Sequence, residues 1–434
     1  MHALKESRIL PTKARRFPLQ KRVLLVMALL ALAVSGCNFQ KMEGGSGDDG
    51  ANSIQQTRDG GYIVAGLSFS TDIPGVTNHG SADYYLLKLN AKGAVVWQKM
   101  YGGSGIDFAY SIQQTRDGGY IVAGHSSSTD IPGVTIHGIN DCYLLKLDAN
   151  GAVVWQKMYG GSGDDFAYSI QQTRDGGYIV AGYSSSTNKD YYLLKLDATG
   201  AVVWQKMYGG SFDDVAYSIQ QTLDNGYIVA GYATSTNIPG VTNHGGSDYY
   251  LLKLDVNGAM VWQKMYGGSG DDEAYSIQQT SDGGYIVAGY SSSTNIPGVT
   301  NHGGTDCYLL KLDANGAVVW QQMEGGSSYD FAYSIQQTSD NGYIVAGHST
   351  STDLPGVYSH GYVEAYLLKL DAGGTMVWQQ LYGGSLDDLA RSIQQTSDGG
   401  YIVAGLSTST DIPKVFNHGG EDYYLLKLDA DGNL

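Results

Sequence analysis

The stretch GGSGDDFAYSIQQTRDGGYIVAGYSSST (160–187), followed by YYLLKLDATGAVVWQ (191–205), decides the fold, because near-copies of it fill the chain. The string SIQQT occurs seven times, and five of the six intervals are 58 residues while one is 49. The copies of this string begin at Ser53, Ser111, Ser169, Ser218, Ser276, Ser334 and Ser392. A period of this length is typical of repeat architectures such as solenoids and propellers.

Each copy holds four strand-like runs, as in AYSIQQT, GYIVAGYS, DYYLLKLD and AVVWQKMY. These runs are rich in Tyr, Val, Ile and Leu and alternate in part, which suits pleated, half-buried strands. Turn residues that accept a positive φ separate the strands, such as 117–119 (DGG) and 150–151 (NG). No segment has a sustained helical period. Seven such units predict an all-β fold, a seven-bladed β-propeller of four-stranded antiparallel blades.

The two ends of the chain together supply one complete copy. The last copy stops at 431–434 (DGNL), where its fourth strand should begin, and 39–45 (FQKMEGG) matches 97–103 (WQKMYGG). Phe39 therefore takes the seventh Trp position, which accounts for six Trp in seven copies. We predict that an N-terminal strand completes the last blade, which leaves no unpaired edge between the first and last blades.

The first 36 residues differ from the repeats. A basic segment, 1–22, precedes a twelve-residue apolar run, 23–34 (VLLVMALLALAV). Twelve residues make ~18 Å of helix, too short for a ~30 Å hydrocarbon core, and the pattern is typical of a secretory signal. The sequence VSGC (34–37) resembles the lipobox of bacterial lipoproteins, in which the Cys is diacylated and becomes the new N-terminus. We predict a lipoprotein signal peptide over 1–36, a propeller over 37–434, and lipidation of Cys37 as a membrane anchor.

Charge narrows the set of partners. Residues 1–36 contain seven of the 26 basic and one of the 42 acidic residues, so the mature chain has a net charge near −22. Such a surface repels nucleic acid, and we expect no nucleic-acid partner. By resemblance to lipoprotein sorting in diderm bacteria, Asn38 after the Cys favours the outer membrane. We therefore expect a lipid-anchored protein of the cell envelope.

The repeat unit resembles the SBBP-type β-propeller repeats of bacterial secreted and surface proteins, over residues 39–434. That resemblance implies a propeller and an exported location, and it implies no particular activity. The stretch LDATGAVVWQ (196–205) also resembles the Trp-docking motif of quinoprotein-like propellers, in which an outer-strand Trp packs between blades. Cys142 and Cys307 fall at one repeat position in non-neighbouring copies, so we expect them to be buried in place of Tyr and not to form a disulfide.

The loop before the first strand of each copy is a candidate site. It reads GGSGDD at 44–49, 160–165 and 267–272 and superficially matches a calcium-binding nonapeptide, which binds calcium when its copies stack every nine residues. Here each loop stands alone, so we expect its second Asp to accept loop N–H groups; Ca²⁺ binding is the alternative. These structural loop carboxylates are Asp49, Asp107, Asp165, Asp214, Asp272, Asp330 and Asp388.

The long loop between the second and third strands carries a His in six copies. Each His belongs to a different blade, so the six cannot converge on one zinc ion, and we predict no metal site. We expect polar turn residues in loops that face a ligand, since binding sites are concentrated in loops. These candidates are His79, His137, His244, His302, His360 and His418.

A catalytic centre is not predicted. The chain has no Ser-His-Asp triad motif, phosphate loop or paired-Cys metal motif, and its acid pairs recur in most copies whereas an active site occurs once. Five breaks from the repeat are scattered: Glu273, Glu324, Glu364, Arg391 and Lys414. We expect a non-enzymatic scaffold that binds a protein or glycan through the long-loop face. The alternatives are an envelope-assembly factor resembling the lipidated propeller of the outer-membrane protein insertion machinery, and a carbohydrate-active enzyme.

Overall fold

The residues that the structure describes form 28 β-strands, arranged in seven four-stranded antiparallel sheets. The computed structural model describes residues 38–185 and 188–434, and these residues contain strands, turns and loops but no helix. The sheets are the blades of a β-propeller, which confirms the predicted all-β, seven-bladed fold. The predicted signal peptide, 1–36, and Cys37 lie outside the described residues.

Within a blade the strands follow one another outward from the central channel. The innermost strands are β2 (Asp49–Gln56), β6 (Asp107–Gln114), β10 (Asp165–Gln172), β14 (Asp214–Gln221), β18 (Asp272–Gln279), β22 (Asp330–Gln337) and β26 (Asp388–Gln395). The second strands are β3 (Tyr62–Ser68), β7 (Tyr120–Ser126), β11 (Tyr178–Ser184), β15 (Tyr227–Ala233), β19 (Tyr285–Ser291), β23 (Tyr343–Ser349) and β27 (Tyr401–Ser407).

The outer half of each blade has the same regularity. The third strands are β4 (Asp83–Leu89), β8 (Asp141–Leu147), β12 (Asp190–Leu196), β16 (Asp248–Leu254), β20 (Asp306–Leu312), β24 (Glu364–Leu370) and β28 (Asp422–Leu428). The outermost strands are β5 (Val95–Tyr101), β9 (Val153–Tyr159), β13 (Val202–Tyr208), β17 (Met260–Tyr266), β21 (Val318–Glu324), β25 (Met376–Tyr382) and, for the seventh blade, β1 (Phe39–Glu43).

Strand β1 closes the ring. It pairs antiparallel with β28, from Phe39 opposite Lys427 to Glu43 opposite Tyr423, and completes the sheet β1-β28-β27-β26. The predicted closure by an N-terminal strand is therefore confirmed. Closure joins the first and last blades by the same kind of packing as the others, and it brings together residues more than 330 positions apart in the sequence.

The ring has two unlike faces. The turns between first and second strands and between third and fourth strands, such as 57–61 and 90–94, share what we call the short-turn face. The long loops between second and third strands, such as 69–82, and the loops before each innermost strand share what we call the long-loop face. Each innermost strand thus runs along the channel from the long-loop face to the short-turn face.

The hydrophobic core lies between blades. Each of seven apolar clusters combines strands of two neighbouring blades. The buried Tyr84 hydroxyl donates to the Tyr143 carbonyl of the next blade at 2.8 Å, so this large side chain is packed and its polar atom satisfied. On the outer strand, Trp97 meets Tyr120 edge-on at 5.8 Å, and Phe39 meets Tyr62 in the same way at 6.1 Å. Phe39 thus packs where the other blades have Trp.

Cys142 and Cys307 lie in the third strands β8 and β20, both 1% exposed, and neither forms a disulfide within the described chain. They occupy the position of Tyr84 in the first blade. Burial raises the pKa of both thiols well above the usual value, and a buried, protonated thiol is unreactive. Both cysteines therefore belong to the core between blades.

Candidate functional site

The motif SIQQT forms a continuous hydrogen-bond ring around the channel. In every blade the Ser hydroxyl accepts from the backbone N–H of the Ile in the next blade at 3.2–3.3 Å, as for Ser53 and Ile112. The first Gln accepts from the backbone N–H of the second Gln in the next blade at 2.5–2.6 Å, as for Gln55 and Gln114. The second Gln accepts from the turn of the preceding blade at 2.8–3.0 Å. The motif thus provides acceptors for two backbone N–H groups of every innermost strand.

The short-turn end of the channel is a cavity of about 240 Å³ that we call the glutamine mouth. It is lined by the Ile of each motif and by the first Gln of each motif, Gln55, Gln113, Gln171, Gln220, Gln278, Gln336 and Gln394. Each of these Gln side chains also accepts the bond described above, so its carboxamide oxygen is committed to the neighbouring blade. All seven blades contribute identical residues here, as a purely structural ring would.

The long-loop end of the channel is a cavity of about 290 Å³ that we call the tyrosine mouth. It is lined by the residue that precedes the motif in each blade: Asn52, Tyr110, Tyr168, Tyr217, Tyr275, Tyr333 and Arg391. In every innermost strand the ladder to the second strand skips this residue, so it occupies a β-bulge. Bulges re-aim side chains and are enriched next to functional sites. Here the bulge turns seven side chains into one cavity.

Five tyrosines stand side by side around this mouth. The centroids of neighbouring rings are 4.7–5.3 Å apart in the order 110, 168, 217, 275, 333. Burial raises the pKa of each phenol. For Tyr333 the pKa rises to about 12, and the charge of Arg391 opposes this rise. The phenols are therefore neutral at physiological pH and can donate and accept hydrogen bonds.

Arg391 and Asn52 complete the circle where the seventh blade meets the first. An Nη1–H of Arg391 donates to Oδ1 of Asn52 at 2.5 Å, and Nδ2 of Asn52 donates to the Ala109 carbonyl at 2.8 Å. Asn52 therefore fixes the guanidinium from one side. Arg391 is the one cation among the residues that line the tyrosine mouth.

A second layer of side chains, from the second strands and the start of the innermost strands, supports the tyrosines. The rings of Tyr110 and His125 stack with 5.6 Å between their centroids, and the ring centroids of Tyr333 and His348 are 5.5 Å apart. Burial lowers the pKa of His125 to about 3, and burial together with Arg391 lowers that of His348 to about 4, so both rings are neutral at pH 7. Glu273 accepts from the Tyr275 hydroxyl at 3.1 Å, and burial raises its carboxyl pKa.

In the sequence Arg391 and Glu273 are scattered breaks from the repeat, and no pattern predicts that they lie close together. The structure brings both to the tyrosine mouth or its supporting layer and leaves the other three breaks elsewhere. Glu364 begins β24, where other third strands begin with Asp, Glu324 ends β21, and Lys414 lies in a long loop. Asn52 was missed, although the column before SIQQT reads Asn, Tyr five times, then Arg. Aligning the seven copies by column would have found it.

The six loop histidines are each held by a carboxylate of their own blade. Nδ1 lies 2.6–3.3 Å from the carboxylate that begins the third strand, and the His backbone N–H donates to the same group, as for His79 and Asp83. The rings keep 37–67% of their side-chain surface exposed. They lie on the long-loop face, outside the residues that line the tyrosine mouth.

The seven loop carboxylates are buried at the start of the innermost strands. Each accepts the backbone N–H of the Gly four residues before it at 2.7–2.8 Å, as Asp107 does from Gly103. Six also accept a Ser hydroxyl from the following loop. Within 38–185 and 188–434, no three His, Cys, Asp or Glu side chains come together as metal ligands. The described loops therefore bring together no such set of ligands for Ca²⁺, the alternative to a structural role.

The fold and site together define a closed propeller with a polar, symmetric channel and one irregular aromatic mouth. No family model matches the chain. The regulatory protein FlaEY of Caulobacter vibrioides is 27% identical over 175 residues, 37% of this chain and 18% of that protein. The chain thus spans less than a fifth of the length of this curated relative. Among residues 38–185 and 188–434 there is no helix of the length and apolar character that would span a membrane.

Three solved structures illustrate the range of similar folds. BamB from Moraxella catarrhalis is 15% identical with a TM-score of 0.43, covering 89% of this chain and 100% of that chain. A protein of unknown function from Bacteroides caccae is 13% identical (TM-score 0.42, 69% and 90% covered). The Pan2 WD40 domain of Neurospora crassa is 12% identical (TM-score 0.47, 89% and 92% covered). Likenesses this distant carry no argument about function.

Proposed function

We propose that the protein is a non-enzymatic binding module of the cell envelope whose tyrosine mouth holds the ligand. The observation that carries this proposal is the contrast between a ring of bulged tyrosines and its two substitutions, Arg391 and Asn52. An open cavity with aromatic walls and a few fixed polar groups is the usual form of a binding site. A merely structural ring would repeat the same residue seven times, as the glutamine mouth does.

The surroundings favour binding over catalysis. The residues that line the tyrosine mouth include no carboxylate, and the nearby Glu273 is engaged by tyrosine hydroxyls. Glycoside hydrolysis requires two carboxylates in one cleft. The carbohydrate-active-enzyme and envelope-assembly alternatives have no comparable observation in their favour.

The proposed lipid anchor would place the tyrosine mouth on the side of the protein that faces away from the membrane. Asn38 lies on the short-turn face, where its side chain donates to the Asn433 carbonyl. A lipid on the preceding residue, Cys37, would leave the protein on that face. In the proposed arrangement the short-turn face lies toward the membrane, and the tyrosine mouth and long loops face away from it. Outer-membrane location follows from the same proposal in a diderm host.

The experiment compares two substitutions on one face of the ring. Tyr217→Ala removes the central tyrosine of the mouth, whereas Tyr358→Ala removes a loop tyrosine that is 87% exposed. The mature chain and both variants are tested by saccharide array and by capture from envelope extracts, after circular dichroism has shown that all three are folded. We expect Tyr217→Ala to weaken binding about tenfold or more, since central aromatic residues dominate binding energy. Equal binding by all three proteins, or no binding by any, would refute the proposal.

A further inference from the structure

The tyrosine mouth departs from its symmetry at one place, between the seventh and first blades. A guanidinium has five N–H donors in a planar fork. One of those of Arg391 is used by Asn52, and no other partner of the group occurs among the described side chains. Because Asn52 is itself fixed to the Ala109 carbonyl, the fork is oriented before any ligand arrives, which lowers the entropic cost of binding.

The charge of Arg391 is not neutralised by an ion pair. Among the described residues no carboxylate lies within 4.0 Å of its guanidinium. Burial raises the pKa of the Glu421 carboxyl, and the charge of Arg391 opposes that rise. The neighbouring His348 is neutral at pH 7 because its pKa is about 4. A single positive charge therefore stands at the mouth of a strongly acidic protein.

The first blade also differs from the other blades beside Arg391. The residue two positions before Asn52 is Gly50, and a Cβ there would lie 3.8 Å from Nη1 of Arg391 and 3.9 Å from Oε2 of Glu421. The other six blades have larger side chains at this position, Phe108, Phe166, Val215, Glu273, Phe331 and Leu389. Glycine in the first blade therefore places no side chain against the guanidinium, and Leu406 packs on the same position, with 3.7 Å between its Cδ2 and the Cβ position.

The walls of the mouth favour a saccharide over a peptide. Five neutral tyrosines line the cavity, so they offer aromatic carbon atoms to the C–H groups of a sugar and hydroxyl groups to its hydroxyls. A peptide that added a strand to the sheet would need free backbone N–H groups on an innermost strand. The Ser and Gln side chains of the neighbouring blade already occupy those N–H groups.

We infer that the tyrosine mouth binds a saccharide that bears an anionic group, with the anion on Arg391 and the sugar rings against the tyrosines. This inference rests on the proposed function and names its ligand class. A carboxylate fits the guanidinium fork with two parallel hydrogen bonds, and a sulfate presents the same geometry. The carboxylate and the sulfate are carried by different saccharides, so a binding experiment distinguishes between them.

The test uses saccharides in matched pairs. Uronic-acid oligosaccharides are arrayed beside their carboxyl-reduced, neutral counterparts, and sulfated oligosaccharides beside their desulfated forms. We expect the mature protein to bind one anionic series at least tenfold more tightly than its neutral counterpart, with a preference that weakens as salt rises. Arg391→Tyr, which introduces the residue of five other blades, and Arg391→Gln should both remove the preference while the fold is retained.

The outcomes separate this inference from the proposed function. If neutral and anionic saccharides bind equally and Tyr217→Ala abolishes binding, the proposed site at the tyrosine mouth is supported and the inferred preference for an anion is refuted. The same conclusion follows if the preference survives both substitutions of Arg391, or if the mouth captures a polypeptide and no saccharide. If no ligand responds to Tyr217→Ala, both proposals fail. A preference for an anionic series that Arg391→Tyr removes and Tyr358→Ala leaves intact would support both.

Discussion

The two mouths of the channel are built from the same seven strands, from positions only three residues apart, such as Tyr168 and Gln171. At the short-turn end every blade contributes the same Gln, and each carboxamide holds the next blade. At the long-loop end the repeat is broken by Arg391 and Asn52, and the side chains project from bulges into open space. In this near-identical repeat the invariant positions build the ring, and we propose that the varied positions select a ligand.

The contrast extends to the carboxylates of the two faces. On the short-turn face Asp117 accepts from the Thr115 hydroxyl and from the ammonium of Lys146, with 2.9 Å between Oδ2 and Nζ. These bonds lower its pKa to about 2 against the effect of burial. On the long-loop face Asp214 has no cation partner, and burial raises its pKa to about 6. The first face stabilises the anions it holds, whereas the second holds carboxylates that are protonated more easily than in the unfolded chain.

The largest effect is expected from Asp117→Ala. Lys146 is 4% exposed, and among the described residues the substitution would leave its ammonium with only the Leu147 carbonyl, at 2.9 Å, as an acceptor. It would also remove an acceptor from Thr115 and Gly119. Water can reach the site, since the Asp117 side chain is 62% exposed, so we expect a loss of about 2–3 kcal/mol in the free energy of unfolding.

Urea unfolding at pH 7 measures this loss, with Asp431→Ala, an exposed acid at the end of the chain, as the control. Because the folded pKa of Asp117 is depressed, its contribution is present above pH 4 and lost as the pH falls toward 2. The difference between wild type and Asp117→Ala should therefore shrink over that interval. A difference that is already absent at pH 7 would show that the Lys–Asp pair does not support the short-turn face.

Asp214→Asn tests the long-loop face and should raise the free energy of unfolding, whereas Asp117→Ala should lower it. The folded pKa of Asp214 is raised, so its favourable contribution is complete below about pH 4 and is lost as the pH rises through 6. Asn removes the charge and keeps an acceptor for Gly210, whose N–H donates to Asp214 at 2.7 Å. We expect the variant to equal the wild type near pH 4 and to exceed it by about 1–2 kcal/mol at pH 7.5.

Thermal unfolding across pH 4 to 7.5 measures the Asp214→Asn effect. The matched control is Asp213→Asn, the adjacent acid, which lies at a partly exposed position. If Asp214→Asn destabilised the protein equally at every pH, the carboxylate would be held as a stabilised anion, and the contrast between the two faces would not extend to their acids.

The propeller could be predicted from the sequence because the information is periodic. The interval of SIQQT, the turn residues and the Phe39 match each specify local structure, and closure follows from them. The tyrosine mouth could not be predicted in the same way. Arg391 and Asn52 are 339 positions apart and meet only because the ring closes, and the residue before SIQQT faces the mouth only because of a bulge that no residue pattern marks. The side-chain partners of Ser53 and Gln55 likewise depend on the stagger between blades.

The smallest effect is expected at the glutamine mouth, from Gln171→Ala. The substitution leaves the Gln221 backbone N–H without the acceptor that lies 2.6 Å away in the wild type. Because water in the channel can replace part of that bond, we expect a loss of about 1 kcal/mol in the free energy of unfolding. Gln171→Glu retains an acceptor and should stay within about 0.5 kcal/mol of the wild type in the same chemical unfolding experiment. Neither change should alter ligand binding at the tyrosine mouth, because Gln171 lines the opposite end of the channel. If Gln171→Ala weakened binding as strongly as Tyr217→Ala while stability was unchanged, the sevenfold ring would be part of the site, and invariance within the repeat would no longer indicate a structural role.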